Sequence, residues 1–477
     1  MAMMNGKQYV DSLKKLRSNV YKFGKLIEDV TEHPETKGTV QLVATSYDRS
    51  FDEKYEALFT TKSNLSGNKI HRWNSLMRSA ADTIANSQMK RAQFHEAGTC
   101  IGSTCAGWTS LNSLWAVTYE VDQDLGTDYH QRLKKYLRYV EDNALALAGA
   151  ITDAKGNRSQ KPSMQKHLDA NLHVKEVRPD GIVIRGYKAQ ICGVVGAHEI
   201  ICVPGNGYGE ADKDFAVAVA VPRDVEGLTI VQARHPNDTR DCEPGWDAPH
   251  AGNCAVSFLL FDDVFVPNER VFMCREYKHS GKFINFFTAL YRSAIGGCVA
   301  GHGDIIVGTA VSMARANGLN EKVFQDKLTK MAINNETVYG LGVGAMALGT
   351  QHPSGLWVPN PLIAHVNKTL AASLPYETKM HANDICGGIA ETGSLPSSTD
   401  FQSPVYGQKL EQALTAGIDG IARAKLARLM EWLTFGGSAL AFIHGGGSPD
   451  GAKLVVKAQT PWEEYAAEAR RIAKVEE

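Results

Sequence analysis

Three cysteines stand where thiol chemistry is possible. Cys100 and Cys105 lie in the run Gly98-Thr99-Cys100-Ile101-Gly102-Ser103-Thr104-Cys105, ahead of an apolar helical stretch. Cys298 lies far along the chain in Gly296-Gly297-Cys298-Val299-Ala300-Gly301. Thiolates so placed can ligate an iron–sulfur cluster, which takes cysteine sulfur and accepts a different fourth ligand. The same residues also read as inert packed thiols, because free cysteine is among the most buried side chains. Spacing by itself favours the packed reading.

Glycine-bearing loops are the next candidates. Thr152-Asp153-Ala154-Lys155-Gly156-Asn157-Arg158 sits where a helical pattern gives way to a β pattern. Such a loop can offer backbone N–H groups and a guanidinium to an anionic cofactor, or be a solvated turn. Cys386-Gly387-Gly388 and His444-Gly445-Gly446-Gly447-Ser448-Pro449 fall between helices, where glycine ends a helix or admits close backbone approach. His302, His198 and Glu120 could move protons, with packed or surface roles as the ordinary alternative. No dinucleotide fingerprint, Walker loop, zincin pair or nucleophile elbow occurs in a suitable context.

The elements that must hold these residues change character twice. Tyr9, Leu13, Leu16 and Val20 recur at helical spacing, and 111–140 is again helical. Gly181-Ile182-Val183-Ile184-Arg185, Ile200-Ile201-Cys202-Val203, 215–221 and 256–261 are short, β-branched or apolar runs. Their spacing predicts a compact barrel or sandwich. After about Arg275 helices return, with Leu410, Leu414, Ile418, Ile421, Leu426, Leu429 and Leu433 as one apolar stripe. The tail from Pro461 reads as an exposed helix or arm. The order predicts an α+β chain with an N-terminal α-helical domain (1–148), a middle β-barrel (149–275) and a C-terminal helical bundle (276–477).

Composition agrees with several domains and a sizeable core. The 477 residues are 43% hydrophobic and 22% charged, with Lys+Arg 51 against Asp+Glu 52. That balance argues against a nucleic-acid or anionic-membrane surface. The apolar runs are too short to span a bilayer and no secretory segment opens the chain, so a soluble cytoplasmic protein is expected. Nine cysteines, an odd number without an export signal, predict reduced thiols.

Taken together, several segments resemble the 4-hydroxyphenylacetate 3-hydroxylase flavoprotein family. They are Thr60-Thr61-Lys62-Ser63-Asn64-Leu65, Tyr119-Glu120-Val121-Asp122-Gln123, the loop at 151–158, Asp238-Thr239-Arg240, Val264-Phe265-Val266-Pro267-Asn268 and the loop at 444–449. Within that family they are most similar to its 4-hydroxybutyryl-CoA dehydratase/vinylacetyl-CoA Δ-isomerase branch. The resemblance implies an acyl-CoA-dehydrogenase-like homotetramer holding FAD. Flavin contacts would then fall on Ile151, Thr152, Asp153, Lys155, Gly156, Asn157 and Arg158. Gln190, Cys192, Gly387 and Gly388 would complete them.

It also implies a [4Fe–4S] cluster on Cys100, Cys105 and Cys298, with one extra residue between the first two. The fourth ligand, a histidine in the branch, falls on Tyr291. A tyrosine of the branch becomes Ile295, a lysine Val299 and a carboxylate Val256. Tyr291 and Cys298 are thereby the expected catalytic positions, with dehydration altered or lost. The phenol-binding Arg and Tyr of the hydroxylases fall on Cys100 and Cys105, and their His on Gly149. The leading expectation is a flavin-dependent lyase, isomerase or oxidoreductase acting on a small CoA thioester or related acid. The alternatives are a reduced-flavin monooxygenase, fed by a reductase, on a non-phenol substrate, and a catalytically silent flavin-binding paralogue.

Overall fold

The computed structural model describes residues 3–100, 103–154, 156–233, 243, 245–247, 256–435 and 442–475. The first part carries helices α1 (Gly6–Leu13), α2 (Lys37–Arg49), α3 (Glu56–Phe59), α4 (Ala80–Ala97), α5 (Ser103–Leu125) and α6 (Tyr129–Asp142). Two hairpins interrupt them: β1 (Val20–Lys22) with β2 (Lys25–Ile27), and β3 (Thr60–Lys62) with β4 (Lys69–His71). Val20, expected on a helix face with Tyr9, Leu13 and Leu16, is therefore a strand residue. It pairs in parallel with Ile230, where its β-branched side chain is fully buried.

The middle part contains β5 (Leu147–Ala150), β6 (His173–Arg178), β7 (Gly181–Cys192), β8 (Glu199–Cys202), β9 (Val217–Pro222), β10 (Leu228–Gln232), β11 (Val256–Pro267) and β12 (Val271–Cys274). Among the described residues these strands form two open sheets rather than the expected closed barrel. One runs β2-β1-β10-β11-β7-β6 and the other β12-β9-β8-β5. β11 slips register against β7 at two places, which bends the long strands over the smaller sheet. Among the described residues the outer edges stay unpaired. The sheets are stitched at one corner by the Asp153–Lys188 bridge and the Ala189 N–H donating to Thr152 O at 2.8 Å. β8 and β9 are buried almost throughout, because α5 and α6 cover the face away from the larger sheet.

Glycine sets how closely α5 lies on this sheet. A Cβ on Gly149 would stand 2.5 Å from the Ala106 carbonyl carbon, and one on Gly107 would stand 2.5 Å from Leu147 O. Their absence lets the first turns of α5, with Cys105, rest beside the outgoing end of β5.

The C-terminal part is helical: α7 (Tyr277–Ala316), α8 (Lys322–Ala347), α9 (Pro361–Ala371), α10 (Leu374–Cys386), α11 (Gly388–Glu391), α12 (Ser398–Phe401), α13 (Gly407–Leu414), α14 (Gly420–Thr434), α15 (Pro449–Gln459) and α16 (Trp462–Ala473). A small hairpin, β13 (Thr350–Gln351) with β14 (Trp357–Val358), follows α8. The expected single stripe from Leu410 to Leu433 is divided. Asp419 accepts from the Ala422 N–H at 2.8 Å and starts α14 afresh, so Ile418 lies in the connecting turn. α7 is long and apolar enough to cross a membrane by length and composition, which the short apolar runs did not predict. With 67% of its most apolar window buried inside the protein, it serves as the core helix of the bundle. α16 buries none of its residues, as its charged sequence suggested.

The corner between the sheets depends on one buried ion pair. Lys188 Nζ lies 2.8 Å from Asp153 Oδ1 and donates to the carbonyls of Ile151 (3.0 Å) and Val203 (2.9 Å). Both side chains are 2% exposed. Removing one partner strands a charge in the interior. Lys188→Met is expected to cost about 3–5 kcal/mol in urea denaturation, and Lys188→Met with Asp153→Asn distinctly less than that.

Candidate active site

Three helices bring the predicted thiols together. α7 packs against both α4 and α5. A Cβ on Gly297 would lie 2.2 Å from Ser87 O, and one on Gly301 would lie 2.7 Å from Arg91 O. Ser87 and Arg91 bracket Lys90 on α4 just as Gly297 and Gly301 bracket Cys298 on α7. This near-contact of backbones puts Lys90 and Cys298 on the same helix seam. Lys90 is 4% exposed, and its ammonium lies 5.8 Å from the centre of the Tyr291 ring.

The result is a cage of thiols around an ammonium group. Cys105, Cys298 and Lys90 lie close enough to shift one another's titration, and Cys100 is near enough to be felt electrostatically. Cys298 holds the Cys105 thiol well below its ordinary pKa, burial opposes this, and the Lys90 charge adds to the lowering. Cys298 moves the opposite way, chiefly because its proton is shared with Cys105 and also because it is buried. The two thiols titrate as a pair, one giving up its proton well before the other. Burial disfavours the Lys90 charge, yet the thiols outweigh burial and keep the ammonium protonated. Tyr291 is pushed well above its ordinary value, first by burial and then by the surrounding sulfurs, so its phenol stays neutral.

Cys100, Cys105, Cys298 and Tyr291 are each partly exposed, so the cage opens on one side. It does not fit the implied cluster. A cluster takes thiolates and a fourth ligand, whereas here a buried lysine lies among the thiols and a phenol stands at the fourth position. Among the described residues, no three His, Cys, Asp or Glu side chains are grouped to hold a metal ion.

The segments implied for flavin adjoin this cage. β7 ends beside it, because Cys192 acts electrostatically on Tyr291. Val256, where the branch carries a carboxylate, pairs across from Cys192. Gln190 is exposed and has φ 58°, a left-handed conformation that non-glycine residues adopt at a cost. Ile151 and Thr152 run alongside β7 and are partly exposed.

Asp153 differs: its carboxylate is sealed against Lys188 and the Leu172 N–H, so it serves the scaffold. Gly156, Asn157 and Arg158 are exposed on a turn shaped by Gln165, which accepts from Asn157 N–H at 2.8 Å and donates to Asn157 O at 2.7 Å. Lys155 and Asp238-Thr239-Arg240 lie outside the described residues. Gly387 and Gly388 sit at the α10–α11 junction, where added Cβ atoms would meet nothing within 4 Å. α10 and α11 pack on other helices of the bundle.

The remaining candidates are structural. His198 is buried, contacts Ser12 Oγ at 2.7 Å and accepts from the Ala146 N–H at 3.0 Å; burial lowers its pKa to about 4. His302 is packed between Phe94 and Phe442, and burial lowers it to about 3. Glu120 is engaged by Lys282 and His352, at 2.9 and 3.1 Å. Ile295 and Val299 join Val338, Ala371 and Phe442 in an apolar cluster against Tyr291. Sequence reasoning missed Lys90 and Arg292, two buried cations beside predicted site positions. The available signal was a cation within a helical stretch that must pack on the core, since such residues are rarely buried without a task.

The comparisons with known proteins decide the family. The model described as 4-hydroxyphenylacetate 3-hydroxylase N terminal matches residues 5–273, and its C terminal counterpart matches 280–474. The chain belongs to the 4-hydroxyphenylacetate 3-hydroxylase family. It is 36% identical to the 4-hydroxybutyryl-CoA dehydratase/vinylacetyl-CoA-Δ-isomerase of Clostridium aminobutyricum, over 96% of each chain. A solved archaeal 4-hydroxybutyryl-CoA dehydratase from N. maritimus superposes with a TM-score of 0.95 at 32% identity, covering 100% of this chain and 96% of that one. The FAD complex of the oxygenase component of 4-hydroxyphenylacetate 3-monooxygenase shares the fold, with TM-score 0.87, 23% identity and 99% and 98% coverage. Glutaryl-coenzyme A dehydrogenase has a looser likeness of fold (TM-score 0.53, 13% identity, 85% and 82% coverage).

The cage predicts an observable thiol. In Lys90→Met the pH midpoint for alkylation of Cys105, followed by peptide mass mapping, should move upward by about one unit or more. An unchanged midpoint would mean that the ammonium does not act on the sulfur.

Proposed function

We propose that this chain is an FAD enzyme acting on a small CoA thioester or related acid, by lyase, isomerase or oxidoreductase chemistry, without an iron–sulfur cluster. The observation that carries it is that Ile151 and Thr152 run alongside the end of β7, whose Cys192 lies near enough to Tyr291 of α7 to act on it electrostatically. The full-length likeness to a dehydratase/isomerase of hydroxyacyl-CoA supports the substrate class. FAD bound there supplies electron or hydride transfer. Ile151, Thr152, Gly156, Asn157, Arg158, Gln190 and Cys192 would hold it. Gly387 and Gly388 would complete that site from a neighbouring copy in a cytoplasmic homotetramer. Chain segments 1–148, 149–275 and 276–477 are its proposed domains.

The chain's own groups then divide the proton work. Cys105, kept anionic by Cys298 and Lys90, can accept a proton. Tyr291 keeps its phenolic proton and can only donate. Tyr291 and Cys298 are the residues we place at the reacting atoms. Val256, Ile295 and Val299 leave apolar side chains where the branch has an acid, a tyrosine and a lysine, so the dehydration of 4-hydroxybutyryl-CoA is altered or lost.

Protein purified without oxygen should take up FAD and hold far less than one iron per chain. About four irons with matching sulfide would overturn the cluster-free reading, and failure to take up FAD would favour the silent paralogue. Wild-type protein should convert little or no 4-hydroxybutyryl-CoA to crotonyl-CoA, and Tyr291→His should not restore the reaction. Ready rescue by that single change would show that Ile295, Val299 and Val256 matter little. Oxygen-dependent hydroxylation by the reduced flavoprotein would move the chain to the monooxygenase side of the family.

A further inference from the structure

Arg292 follows Tyr291 on α7 and has hydrogen-bond donors to spare. The residue is 5% exposed, and among the described residues only its Nε is engaged, donating to Gly446 O at 2.9 Å. A guanidinium has five N–H groups, so four are left. No described carboxylate lies against it. A buried cation in that condition is costly unless an anion joins it.

The neighbouring lysine is different. Lys368 is fully buried and donates to the carbonyls of Phe442 (2.7 Å), Ile443 (3.0 Å) and Gly445 (2.5 Å), which uses all three of its protons. Its task is to tie the loop at 442–447 across α9 and α7. That loop covers Tyr291 and Arg292 with two glycines in the left-handed region, Gly446 at φ 73° and Gly447 at φ 87°. A Cβ on Gly446 would stand 3.0 Å from the Tyr291 ring, and one on Gly447 would stand 3.0 Å from Arg292 Nη2. Gly447 is itself exposed. The guanidinium end thus lies beneath a rim without side chains, next to the phenol of the cage.

We propose that Arg292 binds an oxyanion of the substrate, a carboxylate or phosphate group, beside Tyr291 and under the rim formed by Gly446 and Gly447. The proposal rests on reading the substrate as a CoA thioester or small acid, and names the charge by which this chain would recognise it. It is tested on the full-length, FAD-supplemented protein by calorimetric titration with coenzyme A, with pantetheine, which has no phosphate, and with succinate. Wild-type protein should bind at least one of the two anions, and Arg292→Met should bind it at least tenfold more weakly, with Arg292→Lys in between. Loss confined to coenzyme A assigns the phosphate, and loss confined to succinate assigns the carboxylate.

The proposal falls if neither anion binds wild-type protein. It also falls if Arg292→Met binds as wild type does, even with a lowered melting temperature, since Arg292 would then be a loop clamp only. Flavin content is read from absorbance on the same samples. A chain that takes up no FAD defeats the flavoenzyme reading, while the anion titration still decides the role of Arg292.

Discussion

The backbones of α4 and α7 touch, and the candidate site follows from that contact. Helix axes usually stand about 8–10 Å apart, kept there by side chains. At Gly297 and Gly301 there are none, and the carbonyls of Ser87 and Arg91 fill the space. A lysine held at that spacing has no route to water and must find its partners inside. The partners are sulfurs, and one of them, Cys105, comes from a third helix whose own position is set by Gly107 and Gly149 against the sheet. Two glycine seams, one helix on helix and one helix on strand, thus converge on Cys105.

Charge inside the cage is balanced locally. Burial works against an ammonium and against a thiolate alike, but each relieves the other, and a second thiol steadies the anion by sharing its proton. This arrangement leaves the phenol of Tyr291 neutral and the site open toward the end of β7. The contrast with Arg292 is informative. Lys90 and Lys368 are both satisfied by groups of the chain itself, whereas among the described residues Arg292 is satisfied at one nitrogen of three.

Much of this was legible in the sequence, for identifiable reasons. The helical, β and helical thirds follow from hydrophobic periodicity, and the thiols drew notice because cysteine is rare enough to be informative. Val20 misled because spacings of three and four are shared by a helix face and by a strand that happens to follow one. The stripe from Leu410 to Leu433 misled in the same way, since the Asp419 cap that divides it is a local signal and the stripe a longer one. The strand spacing could not distinguish a closed barrel from two open sheets, because closure depends on whether distant edges meet. Lys90 was invisible for a deeper reason. Its importance comes from where Gly297 lets it go, and that pairing spans some two hundred residues of chain.

One helix carries several of the residues on which the candidate site depends. Residues 291, 292, 295, 298 and 299 occupy little more than two turns of α7, about 12 Å of its length at 1.5 Å per residue. That helix runs through forty residues of the core, anchored far beyond the stretch in both directions. Side chains can be exchanged there while the backbone that presents them stays fixed. Within such a frame a new reaction is reached by a handful of point changes on one short segment, so the scaffold can diverge in chemistry much faster than in shape. Relatives of closely similar fold are then a poor guide to one another's reactions unless those two turns are read residue by residue.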